Sequence, residues 1–294
     1  MSESKTNLEK RLSEELAKYK GAYVPAKASL LRRALVRSVS CKKMHPNPND
    51  EFCDPHFGPN QQIIARYADE IRHIQEHPYL KCFDEPIIIE KIHPDGYMIL
   101  NGHHRWAAAV RMSQPRLRVQ VVNLTQASDI EQMLQNVKHQ KRVTLDLDEV
   151  VFQREPGEAV EKKLPFPLDR IYKERLRRGI PALFHFLKTN GYDIWVYSKR
   201  YYSTEYIQML FKCYHVQIDG IVTGTGRKAK NMEAQKKKLQ ALIAKKYPLT
   251  IHIDRHSLLC ISGESKDYME YPLTGNEMTW SQEIMNIIGA LEKP

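Results

Sequence analysis

The segment Val143-Thr-Leu-Asp-Leu-Asp-Glu-Val-Val151 ends an apolar run on two carboxylates, Asp146 and Asp148, two residues apart. A short apolar run of this kind predicts a buried strand of a parallel sheet over 142–147. Downstream, the same texture returns at 193–197, 220–222 and 250–253, each apolar and rich in β-branched or aromatic residues. Between these strands the spacing predicts helices over 168–178, 180–189, 204–213 and 231–246. The second of these is closed by Asn190-Gly191 as its C-terminal cap. Strands alternating with helices argue an α/β domain built on a parallel sheet.

Two of the later strands also end on reactive groups. Ile194-Trp-Val-Tyr-Ser198 ends on a hydroxyl, and Thr250-Ile-His-Ile-Asp254 ends on a carboxylate. With the lysine cluster Lys228, Lys230, Lys236 and Lys237 between them, this order resembles the motifs of the haloacid dehalogenase (HAD) superfamily. The resemblance implies a Rossmannoid phosphatase domain over 141–294 with Mg2+ held by Asp146, the backbone carbonyl of Asp148, and Asp254. Asp146 is the expected nucleophile, a carboxylate able to accept a phosphoryl group. Asp148 projects to the same side and is the expected proton carrier for the leaving oxygen and then for water. Ser198 is implied as a ligand of the transferred phosphoryl group. Lys230 is the first choice for the charge-neutralising lysine, though spacing leaves its three neighbours open.

This chain departs from that pattern at one place. Where family members often carry a second acid after the fourth-motif aspartate, it has Arg255 and Leu258; Glu264 and Asp267 are the remaining acids nearby. Little sequence separates Asp148 from the helix expected at 168, so any cap is small or absent. An open site of that kind suits macromolecular ends or phosphorylated side chains, with small substrates left open.

Upstream, Pro86-Ile-Ile-Ile-Glu-Lys-Ile and Tyr97-Met-Ile-Leu read as two strands joined by the turn His93-Pro-Asp-Gly96. The second strand runs into Asn101-Gly-His-His-Arg-Trp-Ala-Ala-Ala109, a turn that opens a helix. Gly102 permits the tight turn, the helix start offers backbone N–H groups to an anion, and His104 and Arg105 add side-chain donors. A third strand over 117–124 and a short helix over 129–138 follow, with the domain boundary between 126 and 141. Asp95–Ala109, with the earlier box Val36-Arg-Ser-Val-Ser-Cys-Lys-Lys-Met-His-Pro-Asn-Pro48, resembles the ParB/sulfiredoxin fold over roughly 30–125. The resemblance implies a nucleotide site at Asn101, Gly102, His103, His104 and Arg105. His103 replaces the cysteine of sulfiredoxins and the glutamate of ParB partition proteins, and the G-H-H-R form is similar to ParB-fold kinases acting on free serine. Those enzymes usually have aspartate where this chain has Asn101. An acidic base would then come from the proline-rich loop, where Asp50, Glu51 and Asp54 are candidates. Cys41, His45, Cys53 and His56 lie in or beside the same loop, but the paired spacing of a structural zinc site is absent.

A chain of 294 residues accommodates two domains, preceded here by an amphipathic helix over 5–20 within an extension 1–28. No apolar run reaches membrane-spanning length, and the N-terminus has no signal core. Five scattered cysteines suit a reducing, cytoplasmic setting. The net charge of +10 favours phosphorylated or polyanionic partners, nucleic acid among them. The expected protein is therefore an α/β chain with a ParB/sulfiredoxin-like α+β nucleotide-binding domain (29–127) and a HAD-like phosphatase domain (141–294). Its expected function is bifunctional phosphoryl transfer on nucleic-acid ends, with ATP or another nucleoside di- or triphosphate as donor. A free-serine-like kinase with an accessory phosphatase remains open, as does a nucleotide-gated DNA-binding protein with a degenerate HAD module. No Walker P-loop occurs.

Overall fold

The structure, a computed structural model, describes residues 10, 12–15, 17, 23–54, 56–77, 83, 85–225, 233–262, 268–276 and 278–292. Most of the expected N-terminal helix lies outside them, as do Cys82, Lys228, Lys230, Glu264 and Asp267. Two compact units divide the chain between Asn123 and Leu124. Among the described residues no helix is long and apolar enough to cross a membrane.

The first unit runs β1 (Val24–Pro25), α1 (Leu30–Leu35), β2 (Ser38–Ser40), β3 (Met44–His45), α2 (Gln61–Glu76), β4 (Ile87–His93), β5 (Tyr97–Asn101), α3 (His103–Arg111) and β6 (Arg116–Val122). The sheet has the order β2-β6-β4-β5-β3, with β1 paired to the end of β4. It is mixed: β4 pairs antiparallel with β5 and parallel with β6. On β6, Leu117, Val119 and Val121 are buried while Arg116, Arg118 and Gln120 are exposed, the period-2 signature of a sheet with one covered face. Helices α2 and α3 cover it through Ile64, Ala68, Ile71, Trp106, Ala107 and Ala108. Asn60 starts α2 by accepting from the backbone N–H groups of Gln62 and Ile63, so the loop's prolines end where a capping side chain begins.

The second unit runs α4 (Ala127–Gln135), β7 (Lys141–Asp146), a π-helical turn (Leu147–Val151), α5 (Leu168–Ile171), α6 (Ile180–Thr189), β8 (Tyr192–Tyr197), α7 (Thr204–Cys213), β9 (Gly220–Val222), α8 (Glu233–Lys246), β10 (Leu249–Ile253), β11 (Ser257–Ser262), β12 (Tyr268–Pro272) and α9 (Trp280–Leu291). Helix α4 belongs here because Leu134 packs with Trp195 and Tyr247, which sets the division earlier than the boundary expected at 126–141.

The sheet order is β12-β11-β10-β7-β8-β9, with β10, β7, β8 and β9 parallel and β11 and β12 antiparallel at one edge. Strand β8 buries Ile194 and Val196 in one cluster and Trp195 in another, as a strand covered on both faces must. Gly220 is required by this packing. A Cβ there would lie 2.1 Å from the Trp195 ring, so any side chain displaces the indole.

The helix expected over 168–178 is present only as α5. Residues 175–178 instead exchange backbone hydrogen bonds with 151–161, including Gln153 N–H to Arg175 O and Arg177 N–H to Val151 O, both 2.8 Å. Leu176 is fully buried opposite Phe152 in this pairing. Backbone groups taken up by a neighbouring segment are unavailable to an i to i−4 ladder, so the helix stops.

Candidate functional site

Strand β7 lies between β10 and β8, and all three run in the same direction. Ile253 pairs with Leu145, so Asp254 follows its strand as Asp146 ends the adjacent one. Neighbouring strands lie about 4.8 Å apart, which sets these two strand ends side by side at the carboxyl edge of the sheet. The chain passes from β7 to β8 on one side and reaches β10 on the other, so this edge is also where the strand order reverses. Open α/β sheets bind ligands at such a point.

Asp146 caps the π-helical turn. Its Oδ1 accepts from the N–H groups of Asp148 at 2.7 Å and Glu149 at 3.0 Å. Burial, with Asp148 close by, raises the Asp146 carboxyl above the ordinary aspartate range; the two backbone donors and Lys199 oppose the rise. A half-buried carboxylate with a like charge beside it has a ready use for a cation.

Asp148 is turned towards β8. Its Oδ2 accepts from the Ser198 hydroxyl at 2.8 Å and from the Lys199 N–H at 3.0 Å. Its Oδ1 is buried without a hydrogen bond, with Arg200 Nε 3.4 Å away as an ion pair. Ser198 is fully buried and accepts from the Arg200 N–H at 3.0 Å. The Asp148 carboxylate is thus taken up at the β8 end, whereas the ligand that the resemblance implies from this residue is its backbone carbonyl. Asp254 is exposed, and its Oδ1 accepts from the Arg255 N–H at 2.7 Å. The Arg255 Nη2 binds Glu158 Oε1. Glu158 is buried within the 151–178 segment and also accepts from the Arg154 N–H at 2.7 Å; those donors hold its carboxyl below the usual range despite its burial. Of the candidate lysines, Lys237 is exposed on α8 and Lys236 lies on the same helix, while Lys228 and Lys230 fall outside the described residues. Lys199, Arg200 and Glu158 were not foreseen; the first two directly follow the strand-end serine, the one sequence cue available.

In the first unit, Gly102 caps α3 at φ +101°, a left-handed position suited to glycine. A Cβ there would lie 3.0 Å from Ile87 Cγ1 and 3.3 Å from Arg105 Nε, so the turn is also sterically closed. The next side chains turn inward. His103 Nε2 accepts from the Asn47 N–H and His104 Nε2 from the Asn60 N–H, both at 3.2 Å. Phe52 stacks on His103 with centroids 5.4 Å apart and meets His104 edge-on at 5.1 Å. The two imidazoles thus dock both ends of the proline-rich loop on the start of α3.

Burial lowers the His103 pKa to about 4, and burial likewise lowers that of His104. Arg105 is 7% exposed, and its Nη1 donates to Glu85 O at 2.6 Å. A neutral imidazole accepting at Nε2 keeps its Nδ1 proton to donate, and the Arg105 guanidinium, with one N–H given to Glu85 O, has further N–H donors. Asn101 is exposed at the end of β5. Of the three candidate acids, Asp50 faces this cluster, its Oδ1 3.7 Å from His103 Nδ1. Asp54 accepts from the His56 N–H, and Glu51 is exposed. Cys41, His45, Cys53 and His56 do not gather into a metal site: Cys41 Sγ donates to Gln114 O, and His45 Nδ1 meets Glu15 at 2.6 Å.

Residues 27–137 match the family model of the ParB N-terminal domain. The chain is therefore a mixed α/β protein with two sheets and a ParB-like N-terminal domain. No curated protein matches the chain. Among solved structures, it is similar to a C-terminally truncated chromosome-partitioning protein ParB from Caulobacter crescentus complexed with CTP-γ-S, at 23% identity and a TM-score of 0.24. That similarity covers 34% of this chain and about half, 52%, of the Caulobacter chain.

Proposed function

We propose that the second unit is a magnesium-dependent phosphohydrolase of the aspartate-nucleophile type, HAD-like in fold, joined to a nucleotide-binding ParB-like unit. The observation that carries this reading is the register of β7 against β10, which sets Asp146 and Asp254 at adjacent strand ends with Asp148 tied to Ser198 two residues on. The donor set fits the ion. Two neighbouring carboxylates offer hard oxygen ligands of the kind Mg2+ takes together with water, and burial, with the Asp148 charge adding to it, raises the Asp146 carboxyl, a penalty that a bound cation would offset. When bound, the ion would neutralise charge on the phosphoryl oxygens.

The chain's own residues carry the chemistry. A carboxylate oxygen of Asp146 attacks phosphorus, forming an O–P bond as the bond to the leaving oxygen breaks; Asp148 delivers the proton that the leaving oxygen needs. Water then adds to the aspartyl phosphate, Asp148 takes its proton, and the Asp146–phosphorus bond breaks to release phosphate. Ser198 positions Asp148 and lies at the strand end where a phosphoryl group would bind. For substrate, the basic charge favours phosphorylated nucleic-acid ends.

The first unit is proposed to bind a nucleoside di- or triphosphate at the Gly102 turn. The Caulobacter neighbour, which was complexed with CTP-γ-S, makes CTP a donor to test beside ATP. Kinase activity belongs to the same proposal, with Asp50 as the base because its Oδ1 lies 3.7 Å from His103 Nδ1. The test is hydrolysis of an aryl phosphate and of a 3′-phosphorylated oligonucleotide with and without Mg2+, alongside label transfer from γ-labelled ATP and CTP. Magnesium-dependent phosphate release lost in Asp146→Asn supports the phosphatase. Nucleotide binding without label transfer to any oligonucleotide or to serine would remove the kinase and leave a nucleotide-regulated phosphatase.

A further inference from the structure

Helix α2 ends in the sequence His73-Ile-Gln-Glu-His77. Its neighbouring i, i+3 and i+4 positions carry two imidazoles and a carboxylate. One ligand atom from each of His73, Glu76 and His77 lies within 4.8 Å of the other two. The two imidazole centroids are 4.5 Å apart. His73 and Glu76 are exposed and His77 is half-buried, so water and ions reach all three.

The end of the helix orients one of these rings. His77 is the C-cap, and its N–H donates to the carbonyls of His73 and Ile74, each at 3.1 Å. Its Nδ1 also lies 2.9 Å from His73 O. A carbonyl can only accept, so Nδ1 carries the proton and Nε2 is the unprotonated ring nitrogen. This is the hydrogen bond that commonly fixes the tautomer of a metal-ligating histidine. The carbonyls at the helix C-terminus add partial negative charge that favours a cation.

We propose that His73, Glu76 and His77 form a site for a borderline transition-metal ion of the zinc class, with water completing the coordination. Two nitrogens and one carboxylate oxygen select such ions over magnesium or calcium, which take all-oxygen shells. Ligand atoms around a tetrahedral zinc stand about 3.4 Å apart, given bonds of about 2.0–2.1 Å. Solvent-facing side chains at a helix end reach that spacing by small rotations. A bound ion ties the last turn of α2 to its cap and so resists fraying of the helix that covers α3 and the sheet. This site is independent of the phosphatase reading and shares no residue with it.

The test titrates ZnCl2 into the full chain by calorimetry and CoCl2 by visible absorption, with thermal unfolding followed alongside. One zinc per chain is expected. Zinc at a hundred times its dissociation constant then raises the folding equilibrium constant about a hundredfold, seen as a higher melting temperature. His73→Ala and His77→Ala should each weaken zinc binding about tenfold or more, and Glu76→Gln by less, without loss of the circular dichroism spectrum. The double histidine variant should lose both the cobalt spectrum and the zinc-dependent rise in melting temperature. Absence of zinc binding to the unaltered chain overturns the proposal. Binding that survives in the double variant also overturns it, by placing zinc on others of the twelve histidines.

Discussion

Ser198, fully buried at the end of β8, donates its hydroxyl proton to Asp148 Oδ2 at 2.8 Å. That bond links the ends of two adjacent parallel strands and fixes the side chain expected to move protons. Ser198→Ala leaves a shielded carboxylate oxygen short of a donor, costing about 1–3 kcal/mol of stability. Turnover of an aryl phosphate should fall roughly 10²-fold. Ser198→Thr, which retains the hydroxyl, should recover part of both. Urea unfolding and steady-state rates check the pair; unchanged turnover in the alanine variant would separate Ser198 from the chemistry.

Asp146→Asn should leave the fold intact, because an amide oxygen still accepts from Asp148 N and Glu149 N and keeps the π-helical turn capped. Phosphate release should drop roughly 10³-fold or more, since the amide cannot act as nucleophile. Substrate binding, measured by calorimetry on the variant, should persist. Turnover at the unaltered rate would rule out this carboxylate as the nucleophile.

Asp254 is exposed, so Asp254→Ala should cost little stability. If it holds the ion with Asp146, the magnesium concentration for half-maximal activity should rise about tenfold or more. A magnesium titration identical to that of the unaltered protein would assign the ion to other ligands.

His103 gives the first unit a defined acid sensitivity. Burial holds its folded-state pKa at about 4, below the ordinary 6.5, so the unfolded chain binds the proton more readily. Stability is full above pH 6.5 and is lost as pH falls from there towards 4, by up to about 3 kcal/mol. Denaturant midpoints at pH 7.5 and 5.0 measure the loss. His103→Gln should be less stable at neutral pH and show a flatter profile; an unaltered slope would assign the sensitivity to other groups.

The architecture of the second unit could be read early because burial on both sheet faces leaves uninterrupted apolar runs, and each run ends where a reactive group begins. Tyr192–Tyr197 is such a run, and Ser198 follows it. The segment over 168–178 departs from its helical spacing for a physical reason. Leu168, Tyr172 and Leu176 fall at helical spacing, yet Leu176 is buried by strand pairing to Phe152, a contact that local periodicity does not encode. The first unit shows the same division. Gly102 and the helix behind it were legible from one glycine and an alanine run. The inward docking of His103 and His104 was not, since their partners Asn47 and Asn60 lie 56 and 44 residues away and offer only backbone N–H groups.

The ion pair between Arg255 and Glu158 changes the meaning of the acid missing after Asp254. Arg255 occupies a place where a further negative charge was expected, and its guanidinium instead fastens the 151–178 segment beside the sheet edge. Within that segment 151–153 pair with 175–177 and 159–161 with 176–178, so Glu158 ties a piece of chain already braced against itself to the residue after Asp254. A pull on Arg255 is therefore shared across the whole of 151–178 instead of falling on one side chain. On the phosphatase reading proposed above, the shape and charge of that braced piece would form one wall of the approach to the Asp146 strand end.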